Sequence, residues 1–293
     1  MVIELKSNSA IAHIDTKGAE LVSLQDVFGV EYMWQKDAKY WNRSSPVLFP
    51  VVGNLRNNKT IIEGKEYEIP KHGFCRDAEF KVMFQSETKV ILNYSYNEET
   101  LAVYPYKFSL SLTYSLDGGQ LEIGYTVLNL GETDMDYCLG AHPAFNVPLT
   151  ENETFEDYCL EFNKEEPVGY AVYDCEKLEI NPAHRVDLLK GNKKIMLKNN
   201  YFDDDAIIFD EVQSDSVKLY SIKSGRGVEV HFKDFEAIAF WTPTKLNAPF
   251  LCIEPWNGMA VRSDEDNQYT SKKGIQHLKV NEQHNFKLTI IPM

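Results

Sequence analysis

The sequence predicts an all-β protein built as one large antiparallel domain over residues 1–293. Three observations carry that prediction. Apolar and polar residues alternate with period 2 from end to end, Gly-containing hairpin signals recur between the alternating runs, and long stretches with a 3.6-residue period are missing. No composition shift, linker or repeat divides the chain, and all-β domains often exceed 200 residues as one unit.

Taken in order, Ile3 to Ile14 reads as a strand. Glu20 to Leu24 follows the turn Thr16-Lys17-Gly18, and Tyr32-Met33-Trp34 reads as a further short strand. Tyr40 to Arg56 is different. Pro46, Pro50 and Gly53 forbid a plain strand or helix while its aromatics demand burial, so an irregular apolar segment ending at Arg56 suits the wall of a pocket. Lys59 to Ile62 and Tyr67 to Ile69 flank Glu63-Gly64-Lys65-Glu66 as a hairpin. After the polar turn Lys71 to Asp77, strands run densely: Glu79 to Gln85, Lys89 to Tyr96, Lys107 to Leu116 and Gln120 to Leu130, the last two joined by Asp117-Gly118-Gly119. Glu98 to Val103 is the one short helical turn. Glu151 to Asn200 is more charged and less regular. Strands resume at Ala206 to Phe209, Val217 to Ile222, Gly227 to Phe232, Ala237 to Trp241 and Phe250 to Glu254, and end at Asn285 to Ile291 after the polar loop Arg262 to Lys273.

With 293 residues the chain can bury a core that needs neither disulfide nor metal for stability. A net charge of −14 and a pI near 5.0 argue against nucleic acid or an anionic membrane as partner. A local Arg/Lys cluster still leaves room for a small anion. No apolar run is long enough to span a bilayer, and Met1 to Lys6 lacks the features of a signal peptide. Five cysteines without C-x-x-C spacing then fit reduced thiols in a cytoplasm. A metal site is not expected, because no metal-ligand spacing occurs, and neither is a phosphate loop or G-x-S-x-G elbow.

Two stretches carry chemistry. His142 stands among Gly140, Ala141, Pro143 and Ala144, small neighbours that leave space for a ligand. Glu254 ends the apolar run Phe250-Leu251-Cys252-Ile253 and precedes Pro255-Trp256-Asn257. A buried glutamate needs a partner or a purpose, and burial raises its pKa toward the range of a general base. Trp256 offers an aromatic face suited to a sugar ring. Arg56 and His72 are modest signals alone, and within Asp203-Asp204-Asp205 it is Asp205 that adjoins the apolar run Ala206 to Phe209. Lys71, Arg76 and Arg43 flank the pocket segments and could hold a phosphate, although three basic residues near a turn are as often plain surface charges.

In order, Phe49-Pro50-x-x-Gly53, His72-Gly73-Phe74, Tyr104-Pro105, His142-Pro143-x-Phe145-Asn146 and Glu254-Pro255-Trp256 together resemble the aldose 1-epimerase (galactose mutarotase) family over nearly the whole chain. The compact His72-Gly73-Phe74-Cys75-Arg76 looks closer to its LacX-type and hexose-6-phosphate mutarotase-related branches. The galactose mutarotases proper carry a longer His-rich insertion there. The resemblance implies a large antiparallel β-sandwich with a sugar or sugar phosphate in an open cleft, a monomer or homodimer, and no cofactor. It also implies that His142 is the general acid and Glu254 the general base of ring opening. Arg56 and His72 would then orient the substrate, and Asp205 would accept its hydroxyl hydrogen bonds, with Asp203 and Asp204 competing for that role. Simultaneous protonation of His142 and ionisation of Glu254 is expected if a nearby carboxylate raises the His142 pKa. The same scaffold could serve a non-catalytic sugar-binding protein, using Trp41, Phe74 and Trp256 for stacking without need of Glu254. Glycoside hydrolysis would require two flanking carboxylates.

Overall fold

The computed structural model describes all residues, Met1–Met293. Two large antiparallel sheets dominate it. One has nine strands, in the order Lys194–Met196, Tyr158–Phe162, Ser216–Ser221, Gly227–His231, Gln283–Pro292, Gln120–Asn129, Phe108–Asp117, Lys89–Ser95 and Lys81–Gln85. The other has eight: Glu179–Val186, Tyr170–Asp174, Ile207–Phe209, Ala237–Trp241, Phe250–Asn257, Leu139–Ala141 and Val47–Leu48 in order, with Ala144–Asn146 also paired to Phe250–Asn257. A three-stranded meander, Val2–Lys6, Ala10–Asp15 and Glu20–Asp26, lies beside them.

Period-2 patterning explains how the two sheets meet. Along Phe108–Asp117 and Gln120–Asn129, Leu110, Leu112, Leu121 and Ile123 alternate with more exposed residues and enter the common core. Facing them from the eight-stranded sheet are Ile207, Phe209, Ile238, Phe240, Leu251 and Ile253. The Phe162 ring meets Phe209 at 5.1 Å and Phe240 at 5.7 Å, which joins the two layers. Every second residue of the eight-stranded sheet therefore points away from this core, and that outer face carries the site.

Several elements differ from expectation. Ile3 to Ile14 is not one strand: Ser7 accepts the Ser9 and Ala10 N–H groups on its side-chain oxygen, turning the chain into a hairpin between Val2–Lys6 and Ala10–Asp15. Tyr32 to Trp34 forms no extended strand and touches the sheet through one bridge, Met33 to Phe145. Glu151 to Asn200 is more ordered than its charge suggests, supplying two strands to each large sheet. The Phe250 strand does not stop at Glu254 but continues through Pro255 to Asn257. All five cysteines are free. No helix is long and apolar enough to cross a membrane.

Candidate active site

Strand register brings the two sequence-predicted acid/base groups together. Gly140 pairs with Trp256 and Ala144 with Cys252 across the same strand, so His142, midway between them, stands opposite Glu254. Each has a following proline, and a proline cannot donate to the ladder. Pairing accordingly breaks between Leu139–Ala141 and Ala144–Asn146, with the Ile253 N–H still donating to the Pro143 carbonyl at 3.0 Å. His142 Nε2 and Glu254 Oε2 lie 3.1 Å apart, with side-chain exposures of 8% and 2%.

Small residues then make the hollow. Ala239 pairs with Glu254 and Ala237 with Trp256, leaving the sheet floor low around the pair. Gly140 is required for the same reason: a Cβ there would come within 2.9 Å of the Trp256 ring. The resulting cavity of about 420 Å³ is walled by Tyr40, Trp41, Trp241 and Trp256 on its aromatic sides and by Lys71, His72 and Arg76 on a basic side. Asn54, Tyr173 and Asp205 supply further polar groups.

His72 and Asp205 have φ of 66° and 76°, left-handed backbone that non-glycine residues seldom adopt. In both, the backbone conformation is accepted where the residue borders the cavity. At His72 the surroundings fix it. Its N–H donates to the Gly53 carbonyl, its Nδ1 accepts the Gly53 N–H at 3.1 Å, and Gly73 beside it packs so tightly on Phe49 that a Cβ would overlap the Phe49 carbonyl. An accepting Nδ1 leaves the proton of neutral His72 on Nε2.

The electrostatics run against one expectation. Burial holds His142 well below the usual histidine range, at about 3, with Lys71, Arg76 and Arg43 adding to the effect. Glu254 is pushed well above the usual carboxylate range, first by burial and further by the charge of Asp205, while Lys71 opposes. What opposes the lowering at His142 is a contact with its own backbone, so the expected rise from a carboxylate is not what sets its pKa. Burial thus disfavours the charged form of each group and biases the pair toward carboxylic acid and neutral imidazole. His72 is likewise pushed down by burial and the neighbouring cations. His142 Nδ1, Trp256 Nε1 and Arg76 Nε are all buried without a hydrogen-bond partner, three polar atoms in cavity-lining residues.

The remaining sequence-predicted residues divide. Asp205 lines the cavity, while Asp203 and Asp204 do not. Arg76 and Trp256 line it as well. Arg56 does not: its guanidinium donates to the carbonyls of Glu265 and Arg262 and to Asn267 Oδ1, fastening the 262–267 loop. Arg43 turns from the cavity to Asp77 at 2.8 Å, and Phe74 packs against the core instead of facing the hollow. Tyr40, Trp41 and Asn54, from the Tyr40 to Arg56 segment expected to wall a pocket, line the cavity, whereas sequence reading missed Tyr173 and Trp241, whose place beside it depends on strand register. His142, Cys252 and Glu254 are the one place where imidazole, thiol and carboxyl atoms gather within 4.8 Å.

Comparisons with known proteins agree with this architecture. A family model described as aldose 1-epimerase matches residues 1–279. The plasmid and chromosomal LacX proteins of Lactococcus lactis subsp. lactis are each 38% identical over 281 residues, 94% of this chain and 94% of theirs. A galactose mutarotase related enzyme from Lactobacillus acidophilus superposes with a TM-score of 0.95 at 30% identity, over 100% of this chain and 97% of that one. A galactose mutarotase-like protein from Lactobacillus casei gives 0.94 at 28% identity, over 100% of both.

Proposed function

The chain belongs to the aldose 1-epimerase family, isomerases that interconvert sugar anomers, and from that premise we propose that His142 and Glu254 open and reclose the ring of a hexose or hexose phosphate. The observation that carries this reading is their 3.1 Å contact on the cavity floor. The ring oxygen O5 and the anomeric oxygen O1 are bonded to the same carbon, so the groups that act on them must be neighbours. Hydrolysis of a glycosidic bond places its two carboxyl groups about 5–9.5 Å apart across the bond.

In the forward step Glu254 takes the O1 proton as His142 gives a proton to O5. The C1–O5 bond breaks, C1=O1 forms, and the pair is left as carboxylic acid and neutral imidazole. That is also the resting state favoured by burial. Rotation about C1–C2 and the reverse transfers give the other anomer. The pair must reach its imidazolium–carboxylate form first, which needs one proton to cross the 3.1 Å gap and no exchange with solvent. His72 would donate to a sugar oxygen, Asp205 would accept from a hydroxyl, and Trp256 would pack on the ring.

The positions of the cations favour a phosphorylated hexose. Lys71 and Arg76 line the cavity; with Arg43 their charge bears on His72 and His142, and that of Lys71 reaches Glu254 as well. With His142 at O5 and Glu254 at O1, the neighbour of O5 away from C1 is C5, which carries C6. A phosphate on C6 would meet Lys71 and the guanidinium of Arg76. Polarimetric decay of freshly dissolved α-anomers tests the whole reading, using glucose, galactose and their 6-phosphates at low and high salt. We expect accelerated decay, faster for the 6-phosphates, with Arg76→Met reducing kcat/KM more for the phosphates than for the parent sugars. Unaccelerated decay across the panel would remove the assignment.

A further inference from the structure

We propose that Trp41 is the positioning residue for His142, its indole face orienting the imidazole and stabilising the positive charge the ring gains during proton transfer. This rests on the reading of His142 as the acid. A catalytic histidine is ordinarily oriented through its second ring nitrogen, which donates to a carboxylate or carbonyl. Here no other residue supplies that hydrogen bond: Nε2 faces Glu254, and Nδ1 is buried with nothing nearer than its own backbone to receive it. What covers the ring is Trp41, stacked on it with centroids 4.8 Å apart and planes inclined by 29°. Trp241 and His72 meet the same imidazole edge-on, at 5.8 and 5.6 Å.

Trp41 is itself held in place. The Tyr40 and Trp41 N–H groups both donate to the Asp37 carbonyl. The Trp41 carbonyl accepts from Trp34 Nε1 at 2.8 Å, and three residues on, Ser44 N–H and Ser45 N–H donate to buried Glu20 at 2.6 and 3.0 Å. The strap from Lys36 to Ser45 thus delivers one indole face to one imidazole.

Charge gives the stack its purpose. The groups around His142 are Lys71, Arg76 and Arg43 on one side, His72 beside it, and Glu254 with Cys252 beneath. Three cations oppose an imidazolium and a single carboxylate favours it. An aromatic face within about 6 Å attracts a cation by an amount equivalent to roughly 2- to 30-fold in its population. The indole face turned to His142 is not available to the sugar.

The test compares Trp41→Phe and Trp41→Leu in the full chain, measuring anomer interconversion across pH, with thermal melting as a check on folding. Trp41→Leu is expected to lower kcat about 10-fold with KM within about twofold, and to displace the acid limb of kcat to lower pH, since the second proton on the pair becomes harder to add. Trp41→Phe, which keeps a π face, restores most of both. A raised KM with unchanged kcat would make Trp41 a sugar platform and overturn the proposal, as would an unmoved acid limb or equal losses in the two variants. If the unaltered protein accelerates no sugar, the acid/base reading itself fails, and the proposal with it.

Discussion

Glu254 is a carboxyl group inside a protein, and its neighbours decide what it can do. At 2% side-chain exposure with one imidazole in contact, its ionised form is disfavoured by burial. Glu254→Gln preserves the shape and the neutral state but removes the titratable proton. Turnover should fall by about 10²-fold or more, while at neutral pH the melting temperature stays level or rises. Near wild-type turnover would take Glu254 out of the mechanism. The direction of the shifts also sets the pH profile. In the proposed mechanism activity needs one proton on the pair, so it should persist well below pH 6.5 and fail as a second proton adds to His142 at about 3; an acid limb near 6.5 would mean that His142 is solvated in the working enzyme. Both residues were legible in sequence as a His-Pro and a Glu-Pro in apolar surroundings. Their contact was not, because it depends on which strands pair and in what register. Arg56 shows the reverse failure: its motif position suggested substrate, but a long side chain goes where acceptors are, and the carbonyls of Glu265 and Arg262 supply them.

The strap from Lys36 to Ser45 shows what a single element depends on. Glu20, 7% exposed, accepts two backbone N–H groups from Ser44 and Ser45 and pairs with Lys36 Nζ at 2.7 Å. Glu20→Ala would strand both donors, each costing about 1–3 kcal/mol, and would loosen the segment that presents Trp41. We expect a lower melting temperature together with reduced turnover, and a variant that is destabilised yet fully active would show that strap and site are uncoupled. The floor strand gives a second case. Gly140→Ala puts a methyl 2.9 Å from the Trp256 ring, with Leu48 and Val52 at 3.1 Å, a form of overpacking worth about 1–3 kcal/mol. If Trp256 yields, KM should rise more than kcat falls. At this scale, hairpins with Gly turns were legible because a turn is a local event. The 151–200 strands were not. Glu179–Val186 and Lys194–Met196 are outermost in their sheets, where only part of each strand is buried and charge masks the alternation. Tyr32 to Trp34 misled in the opposite direction: it is buried like a strand but paired at a single bridge.

For the molecule as a whole, the buried pair links the proposed mechanism to stability. His142 has a folded pKa near 3, below its unfolded value of about 6.5, so the unfolded chain binds the extra proton between these limits. Its contribution is complete above 6.5 and is lost as pH falls toward 3. His72, also lowered, acts in the same direction. Glu254 acts oppositely. Its folded pKa lies above the unfolded value of about 4.3, so the folded chain holds a proton that the unfolded chain releases, and stability declines as pH rises from there toward the raised value. Both effects are superimposed on the self-repulsion of a chain of net charge −14, which itself changes with pH. Comparing the wild type with Glu254→Gln cancels those shared terms, because glutamine carries no proton to lose in either state. The stability of the variant relative to the wild type should therefore grow with pH above about 4.3, at up to about 1.4 kcal/mol per unit for one proton. Denaturant unfolding of both proteins from pH 4 to 8 reads this directly. A difference that stays flat would mean that Glu254 ionises in the folded protein as easily as in water, and that the resting proton does not reside on the carboxyl.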